Sequence, residues 1–279
     1  MTVSVAIVNW NAGELLRVCV QSILTTTPGV EVVVVDNASS DDSLERLTSF
    51  RDQIHIIRNS VNRGFAAAVN QAFAETATPY VLVLNPDVRV LPGAIAVMSA
   101  FLNDHPKAGA VGGNVNDKYL PRKLPSVGTL FRENLGFGRP VSALPATGTI
   151  EVEQPAAAAL LVRRDAYDKI GGFDERFHPA WYEDVDFCRR LKSAGWQIYF
   201  ASEAEFPHEG GYSVQGLGPK AFTDAYYHNQ LRYAQKHFGR AARVSVRLSV
   251  AAGMLIRMAA RPKDAGVYAG VLRGALGGW

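Results

Sequence analysis

Cysteine is nearly absent: Cys19 and Cys188 stand alone in 279 residues. Without paired, metal-type spacing they argue against a zinc site or a disulfide framework and point to a reducing compartment. Cys19 falls in an apolar helical pattern with Leu15, Leu16, Val20 and Ile23, the place of buried filler. No basic stretch leads into an apolar one at the N-terminus, so export is not expected. No run approaches the ~20 apolar residues that span a bilayer. Also missing are a G-x-G-x-x-G turn after the first strand and a G-x-x-x-x-G-K-[ST] loop, which makes ordinary dinucleotide and P-loop sites weak fits. Charge of one sign is scarce as well. The 29 basic and 26 acidic side chains leave +3, too little to indicate a nucleic-acid partner.

What remains is 48% hydrophobic and 20% charged, enough for a sizeable core in one large domain or two small ones. The mild net charge hides an asymmetry. From Gly239 onward seven basic residues (Arg240, Arg243, Arg247, Arg257, Arg261, Lys263 and Arg273) stand against one acid, Asp264. The tail therefore carries +6 and the body before it −3.

Strand and helix patterns alternate through the first half. Residues 3–8 are an apolar run ending at Asn9-Trp10-Asn11, and a helical pattern covers 14–24. Residues 31–35 read as a β-branched strand ending at Asp36-Asn37. The stretch 39–50 reads as a helix, with serines and aspartates suited to its start. A short strand at 54–57, an alanine-rich helix at 65–75 and a buried strand at 80–84 come next, the last closed by Asn85-Pro86-Asp87. Apolar strands separated by helices imply βαβ units and a largely parallel sheet, an α/β fold. Between about residues 115 and 153 the pattern dissolves around Pro121, Pro125, Pro140 and Pro145. The expectation there is an irregular loop acting as a lid or acceptor-binding segment, or a plain surface insertion. Regularity returns with a strand at 156–162, a helix at 183–194 and a strand at 197–201.

Ligands of an open parallel sheet bind beyond the carboxyl ends of its strands. Three strands end there in polar residues: Asn9 and Asn11, then Asp36 and Asn37, then Asn85 and Asp87. The blocks Val34-Val35-Asp36-Asn37-Ala38-Ser39-Ser40-Asp41, Asn62-Arg63-Gly64-Phe65 with Asn70, and Leu84-Asn85-Pro86-Asp87 resemble the family-2 glycosyltransferases. So does Gly171-Gly172-Phe173-Asp174-Glu175 followed by Tyr182-Glu183-Asp184-Val185-Asp186. The resemblance covers roughly residues 3–212 and looks most like the rhamnosyltransferase-like branch, where Asn-Pro-Asp is usual. It implies a GT-A fold, Rossmann-like with flanking helices, and inverting transfer of a sugar from a nucleotide-diphosphate donor.

Within that resemblance Asn9, Asn11, Asp36, Asn62, Arg63, Gly64 and Asn85 are the expected donor-binding residues. Asp36 can accept from a pyrimidine N–H or a ribose hydroxyl, or simply cap the helix after it. Asn62-Arg63-Gly64 opens a helix whose N–H groups suit ribose or diphosphate, although a plain turn uses the same residues. Asp87 is the expected ligand of Mn2+ or Mg2+, which take carboxylate and water oxygens and offset leaving-group charge. Asn85 replaces the first acid of the common Asp-x-Asp pattern, so the site has one negative charge fewer. His208, in Pro207-His208-Glu209-Gly210-Gly211, resembles the downstream histidine that completes the metal shell.

Asp184 is the expected general base at a helix start, though acids there also complement the helix dipole. Trp181, Tyr182 and Glu183 beside it are the expected acceptor contacts. The helix continues Arg189-Arg190-Leu191 and lacks the Gln-x-x-Arg-Trp motif of processive members, so one sugar or very few are added.

At 100° per residue, Arg240, Arg243, Arg247, Arg257 and Arg261 would share one stripe of a single helix that Pro262 ends. A basic amphipathic helix is a membrane-surface signal, with packing on the domain as its alternative. The expected organisation is a GT-A catalytic domain over 1–238 and a basic helical tail over 239–279. That combination suits a cytoplasmic enzyme peripheral at the inner face of the cell membrane, moving L-rhamnose from dTDP-L-rhamnose to a polyprenyl-linked saccharide. A UDP-sugar transferase of the same fold, and a nucleotide-binding membrane adaptor without activity, are the alternatives.

Overall fold

The computed structural model describes residues 2–116, 119–138, 148–207 and 212–277. Its first strand, β1 (Val3–Asn9), sends Val3, Val5 and Ile7 to one face and Ala6 and Val8 to the other, and all five are buried. A strand covered on both faces has no polar alternation, which is why it appears as a continuous apolar run. The other strands are β2 (Glu31–Asp36), β3 (His55–Arg58), β4 (Tyr80–Leu84), β5 (Ala108–Asn114), β6 (Thr149–Val152), β7 (Ala159–Arg163) and β8 (Gln197–Glu205). They form one sheet in the order β3-β2-β1-β4-β7-β5-β8-β6. Only β7, against β4 and β5, and β6, against β8, pair antiparallel.

One face of the sheet is covered by α1 (Glu14–Thr26), a 3-10 helix (Glu45–Gln53) and α3 (Ala94–Asp104). The other is covered by α2 (Phe65–Glu75), α5 (Arg164–Ile170) and α6 (Glu183–Ser193). This is the expected GT-A layout, a mostly parallel sheet flanked by helices. Residues 39–50 depart from the helix read there. Ser39 Oγ and Ser43 Oγ instead accept from the backbone N–H groups of Asn11 (2.8 Å) and Gly13 (2.7 Å). Such side-chain bonds compete with a helical backbone, and only a 3-10 helix forms afterwards. The irregular stretch 115–153 is corrected too: α4 (Val127–Asn134), capped by Ser126, and β6 lie within it.

The C-terminal part is helical. α7 (Tyr212–Ala260) is broken at Gly218 (φ 75°), which precedes Pro219, and at Gly239 (φ 85°). α8 (Ala265–Gly277) folds back along it. Together with α4 they bury a third cluster containing Leu130, Phe177, Tyr182, Val185, Tyr233, Val246 and Met254. Close packing requires Gly253, where an added Cβ would lie 1.9 Å from the Asn134 carbonyl oxygen. Arg257 donates to that oxygen at 2.6 Å, closing the end of α4. The five arginines therefore do not form a uniformly solvated stripe. Arg240 and Arg261 are exposed, whereas Arg243, Arg247 and Arg257 are half-buried. Among the described residues no helix is long and apolar enough to cross a membrane.

Candidate active site

The carboxyl ends of β1 and β2 are knitted together by their own polar residues. Buried Asn9 donates through Nδ2 to Asp36 Oδ1 at 2.7 Å and to Ser39 Oγ at 3.0 Å. Asp36 also accepts from Ser39, at 2.6 Å from Oγ and 3.1 Å from the backbone N–H. Asn11, at φ 55°, accepts from the Ser40 N–H at 2.7 Å. Asn9 and Asn11 thus shape the loop that presents Asp36.

Asn37, not among the expected site residues, has an equal share in this edge. Its Nδ2 donates to the Gly64 carbonyl at 3.1 Å and its Oδ1 accepts from Asn59 at 2.9 Å. The Asn62-Arg63-Gly64 turn is thereby tied to β2. Asn62 Oδ1 accepts from the Gly64 N–H at 2.9 Å, and Arg63 is exposed. Gly64 has φ 83°, and a Cβ there would lie 2.8 Å from His178 Cδ2 and 2.9 Å from the Pro179 oxygen. The Phe65 N–H at the start of α2 donates to that same oxygen at 2.7 Å. Gly64 therefore serves a close approach between two loops, the Asn62-Arg63-Gly64 turn and the one leading to Asp184.

β4 ends beside β7, and the Asn85 N–H donates to the Ala158 carbonyl at 3.0 Å. Two residues on, Asp87 is a buried carboxylate. Burial raises the hydroxyl pKa of Tyr119, Asp87 raises it further and Arg122 lowers it, so Tyr119 lies within electrostatic reach of both charges. No three His, Cys, Asp or Glu side chains gather into a metal-binding group among the described residues, and His208 lies outside them. Asp87 offers the hard oxygen donor that Mg2+ or Mn2+ prefers. It fits such an ion where substrate diphosphate oxygens fill most of the shell.

The acidic helix start is held from two sides. Trp181 (φ 72°) and Tyr182 (φ 70°) are consecutive left-handed residues just before α6. Such conformations cost on the order of 1–3 kcal/mol each and persist only when the surroundings impose them. Buried Asn229 of α7 imposes it, donating to the carbonyls of His178 (3.2 Å) and Ala180 (2.9 Å). Gln230 donates to the Tyr182 hydroxyl at 3.0 Å. Asp184 then lines a cavity of about 200 Å³ together with Tyr119, Arg122, Trp181, Tyr182 and Tyr226. Its Oδ2 accepts from Gln154 Nε2 at 3.1 Å and its Oδ1 from the Val185 N–H at 2.8 Å.

The neighbouring acids differ sharply. Glu183 turns inward, and burial, reinforced by Asp184, pushes its carboxyl well above the usual range. Its Oε2 has no hydrogen-bond partner among the described residues. Asp186 is fully buried, with Lys236 Nζ at 2.6 Å, Arg190 Nε at 2.7 Å and His237 Nε2 at 2.8 Å. The Gly171-Gly172-Phe173-Asp174-Glu175 run is anchored rather than open. Asn70 accepts from the Phe173 N–H and donates to the Phe173 carbonyl, each at 2.9 Å.

Residues 4–171 match the family described as Glycosyl transferase family 2. An N-acetylglucosaminyl-diphospho-decaprenol L-rhamnosyltransferase of Mycobacterium tuberculosis is 29% identical over 265 residues, spanning 84% of this chain and 85% of that protein. Two solved structures share the architecture. The mannosyltransferase PcManGT from Pyrobaculum calidifontis, in complex with GDP-Man and Mn2+, superposes with a TM-score of 0.63 at 15% identity, covering 99% of this chain and 86% of that one. S. aureus TarS 1-349 in complex with UDP gives 0.58 at 15% identity, covering 95% and 74%. At such identities the structural likeness speaks for the fold alone. The family match spans the chain from β1 to the end of α5, and the rhamnosyltransferase likeness covers most of the chain. The chain therefore belongs to glycosyl transferase family 2 and is a glycosyltransferase with the GT-A fold, similar to a rhamnosyltransferase.

Proposed function

We propose that this glycosyltransferase is inverting, nonprocessive and metal-dependent, with L-rhamnose from dTDP-L-rhamnose as the transferred sugar and a polyprenyl-linked cell-envelope saccharide as acceptor. The observation that carries this reading is Asp184. It lines a cavity walled by aromatic residues, on the side of the sheet edge where Asp36 and Asp87 also lie. Asp184 takes the proton of an acceptor hydroxyl as its oxygen attacks the anomeric carbon. The bond from that carbon to the diphosphate oxygen breaks, and the nucleoside diphosphate leaves with the electron pair. Attack opposite the leaving group inverts the anomeric centre and needs no covalent enzyme intermediate. Gln154 and the Val185 N–H hold the carboxylate for this. Asp87, with His208 and the diphosphate oxygens, would hold Mn2+ or Mg2+, whose charge offsets that of the leaving group.

The name of the mycobacterial relative supports the sugar and the lipid-diphosphate acceptor. The catalytic unit spans 1–238, with 115–153 bordering the acceptor, and the basic segment 239–279 keeps the enzyme at the inner membrane face. The test offers dTDP-L-rhamnose and a panel of UDP-sugars, each with and without chelator, and reads the product anomer by NMR. Transfer from dTDP-L-rhamnose with inversion, abolished by chelator, is the expected result. Preference for a UDP-sugar moves the donor assignment. Retention of configuration, or transfer unaffected by chelator, overturns the mechanism or the metal. Nucleotide binding without transfer to any acceptor would favour the adaptor alternative.

A further inference from the structure

Asp184 lines the cavity, and the transferase reading puts it and Asp87 near the substrate diphosphate, which a bare carboxylate repels. The described residues bring one cation into the wall of the acceptor cavity. Arg122 lies on the segment after β5, and its backbone N–H donates to the Gln154 carbonyl at 2.9 Å in an isolated antiparallel bridge. The side chain of the same Gln154 holds Asp184 at 3.1 Å. Arg122 is therefore fixed to the very residue that holds the base, and its side chain lines the cavity with Asp184, Trp181 and Tyr226. Tyr119 lines the cavity beside Arg122 and lies within electrostatic reach of both Arg122 and Asp87. A guanidinium presents a planar fork of donors matched to paired phosphate oxygens, which an ammonium does not.

We infer that Arg122 is a diphosphate-binding residue of the transfer site, an inference that rests on the transferase reading above. Diphosphate has two possible sources there: the nucleotide leaving group, or the lipid diphosphate that carries the acceptor sugar. Both offer adjacent anionic oxygens to the same fork. Arg122 offsets the negative charge of Asp87 and Asp184 at the point where the substrate's own charge is greatest.

The test uses the full chain with Arg122→Gln and Arg122→Lys, each checked against wild type for thermal midpoint. One arm measures calorimetric affinity for dTDP, UDP and thymidine in the presence of Mn2+. The other measures KM for GlcNAc diphosphate on a short prenyl chain and for an alkyl GlcNAc glycoside without phosphate. Losing a charged hydrogen-bonding partner is expected to cost about tenfold or more in Arg122→Gln, with a smaller loss in Arg122→Lys. If the donor is the source, dTDP or UDP affinity falls while thymidine affinity does not. If the acceptor is the source, KM rises for the diphosphate acceptor and not for the glycoside. Changes within twofold in both arms overturn the inference. Should Arg122→Gln fail to fold, unchanged affinity and KM in Arg122→Lys do the same. A wild type that binds no nucleoside diphosphate and transfers no sugar overturns the transferase reading itself, and Arg122's role with it.

Discussion

Asp184 and Asp186 stand two positions apart on α6, and a helical turn of 3.6 residues sends them to opposite sides. Asp184 faces the cavity; Asp186 faces Arg190, Lys236 and His237 in the interior. Asp184→Asn keeps the size and removes the proton acceptor, so transfer should fall by ~10²–10⁴-fold. Nucleoside diphosphate affinity should stay within twofold, since the proposed donor contacts lie elsewhere. Steady-state transfer and calorimetry on the one variant check both. Asp186→Asn should instead unsettle the fold. Removing one partner of a buried ion pair costs about 3–5 kcal/mol, read from the urea midpoint. Its pH dependence has a definite sign. Burial raises the Asp186 carboxyl, but the hydrogen bond from His237 and the charges of Arg190 and Lys236 outweigh this and hold it below the usual range. The stabilisation is complete above the ordinary aspartate value of about 3.9 and is lost as pH falls through the lower folded one. Wild type should lose stability on acidification below about pH 4, and Asp186→Asn should lose less over the same window. An equal loss in both proteins would remove Asp186 from the acid response.

At the scale of elements, the turn before α6 depends on a helix far along the chain. Trp181 and Tyr182 are held left-handed by Asn229 and Gln230 of α7, and the same loop abuts Gly64 at the start of α2. Asn229→Asp keeps the acceptor that Arg232 uses at 2.8 Å but loses the amide donors to the His178 and Ala180 carbonyls. The expected outcome is a fall in kcat of about tenfold or more, with nucleotide affinity little changed, because misaiming the base by even 1 Å can cost ~10²-fold. Unchanged kcat in a folded variant would free the turn from α7. Neither amide was legible in the sequence, since a polar residue inside a helical pattern gives no sign of which loop it will meet. The strands from β1 to β4 and the start of α2 were legible because apolar runs and capping residues are local signals. β5 was not: Ala-Gly-Ala-Val-Gly-Gly-Asn carries little side-chain bulk. Its glycines are there because Gly112 lies against Pro155 and Gly113 against Phe206, contacts made only in the folded sheet. The 3-10 helix at Glu45–Gln53 escaped for the opposite reason, local serine bonds overriding a helical composition. Among site residues, the polar strand ends and Asp184 stood out by position, whereas the part Asn37 plays in tying down the Asn62-Arg63-Gly64 turn, and the place of Arg122, depend on partners 22 residues or more away.

The whole molecule presents two unlike faces on segment 240–260 of α7. Toward α4 and α8 it buries Val246, Val250 and Met254, and Arg257 is occupied with the end of α4. Away from them Val244, Leu248, Leu255 and Ile256 are each more than half exposed. With Val244 at zero, α-helix geometry puts Leu255 at about 20°, Leu248 at about 40° and Ile256 at about 120°. Exposed Arg240 lies about 40° to the other side, and exposed Arg261 sits just past the helix end. The exposed face of this segment is therefore an apolar strip bordered by two arginines rather than a five-arginine stripe, and under the membrane proposal it is the strip that would meet lipid. Each arginine near an anionic surface contributes about 1 kcal/mol, and an inserted leucine about 1.5–3 kcal/mol. The strip should then outweigh its charges. Wild type is expected to float with anionic vesicles. Leu248→Ser with Leu255→Ser should reduce flotation at any salt concentration, because apolar burial is not screened. Arg240→Gln with Arg261→Gln should reduce it chiefly at low salt, because charge attraction fades within a Debye length of about 8 Å at physiological ionic strength. Neither pair touches the Asn134 contact, so the fold at α4 is left alone. If wild type stays at the bottom of the gradient, the strip meets something other than lipid and 239–279 is a packing element of the catalytic unit.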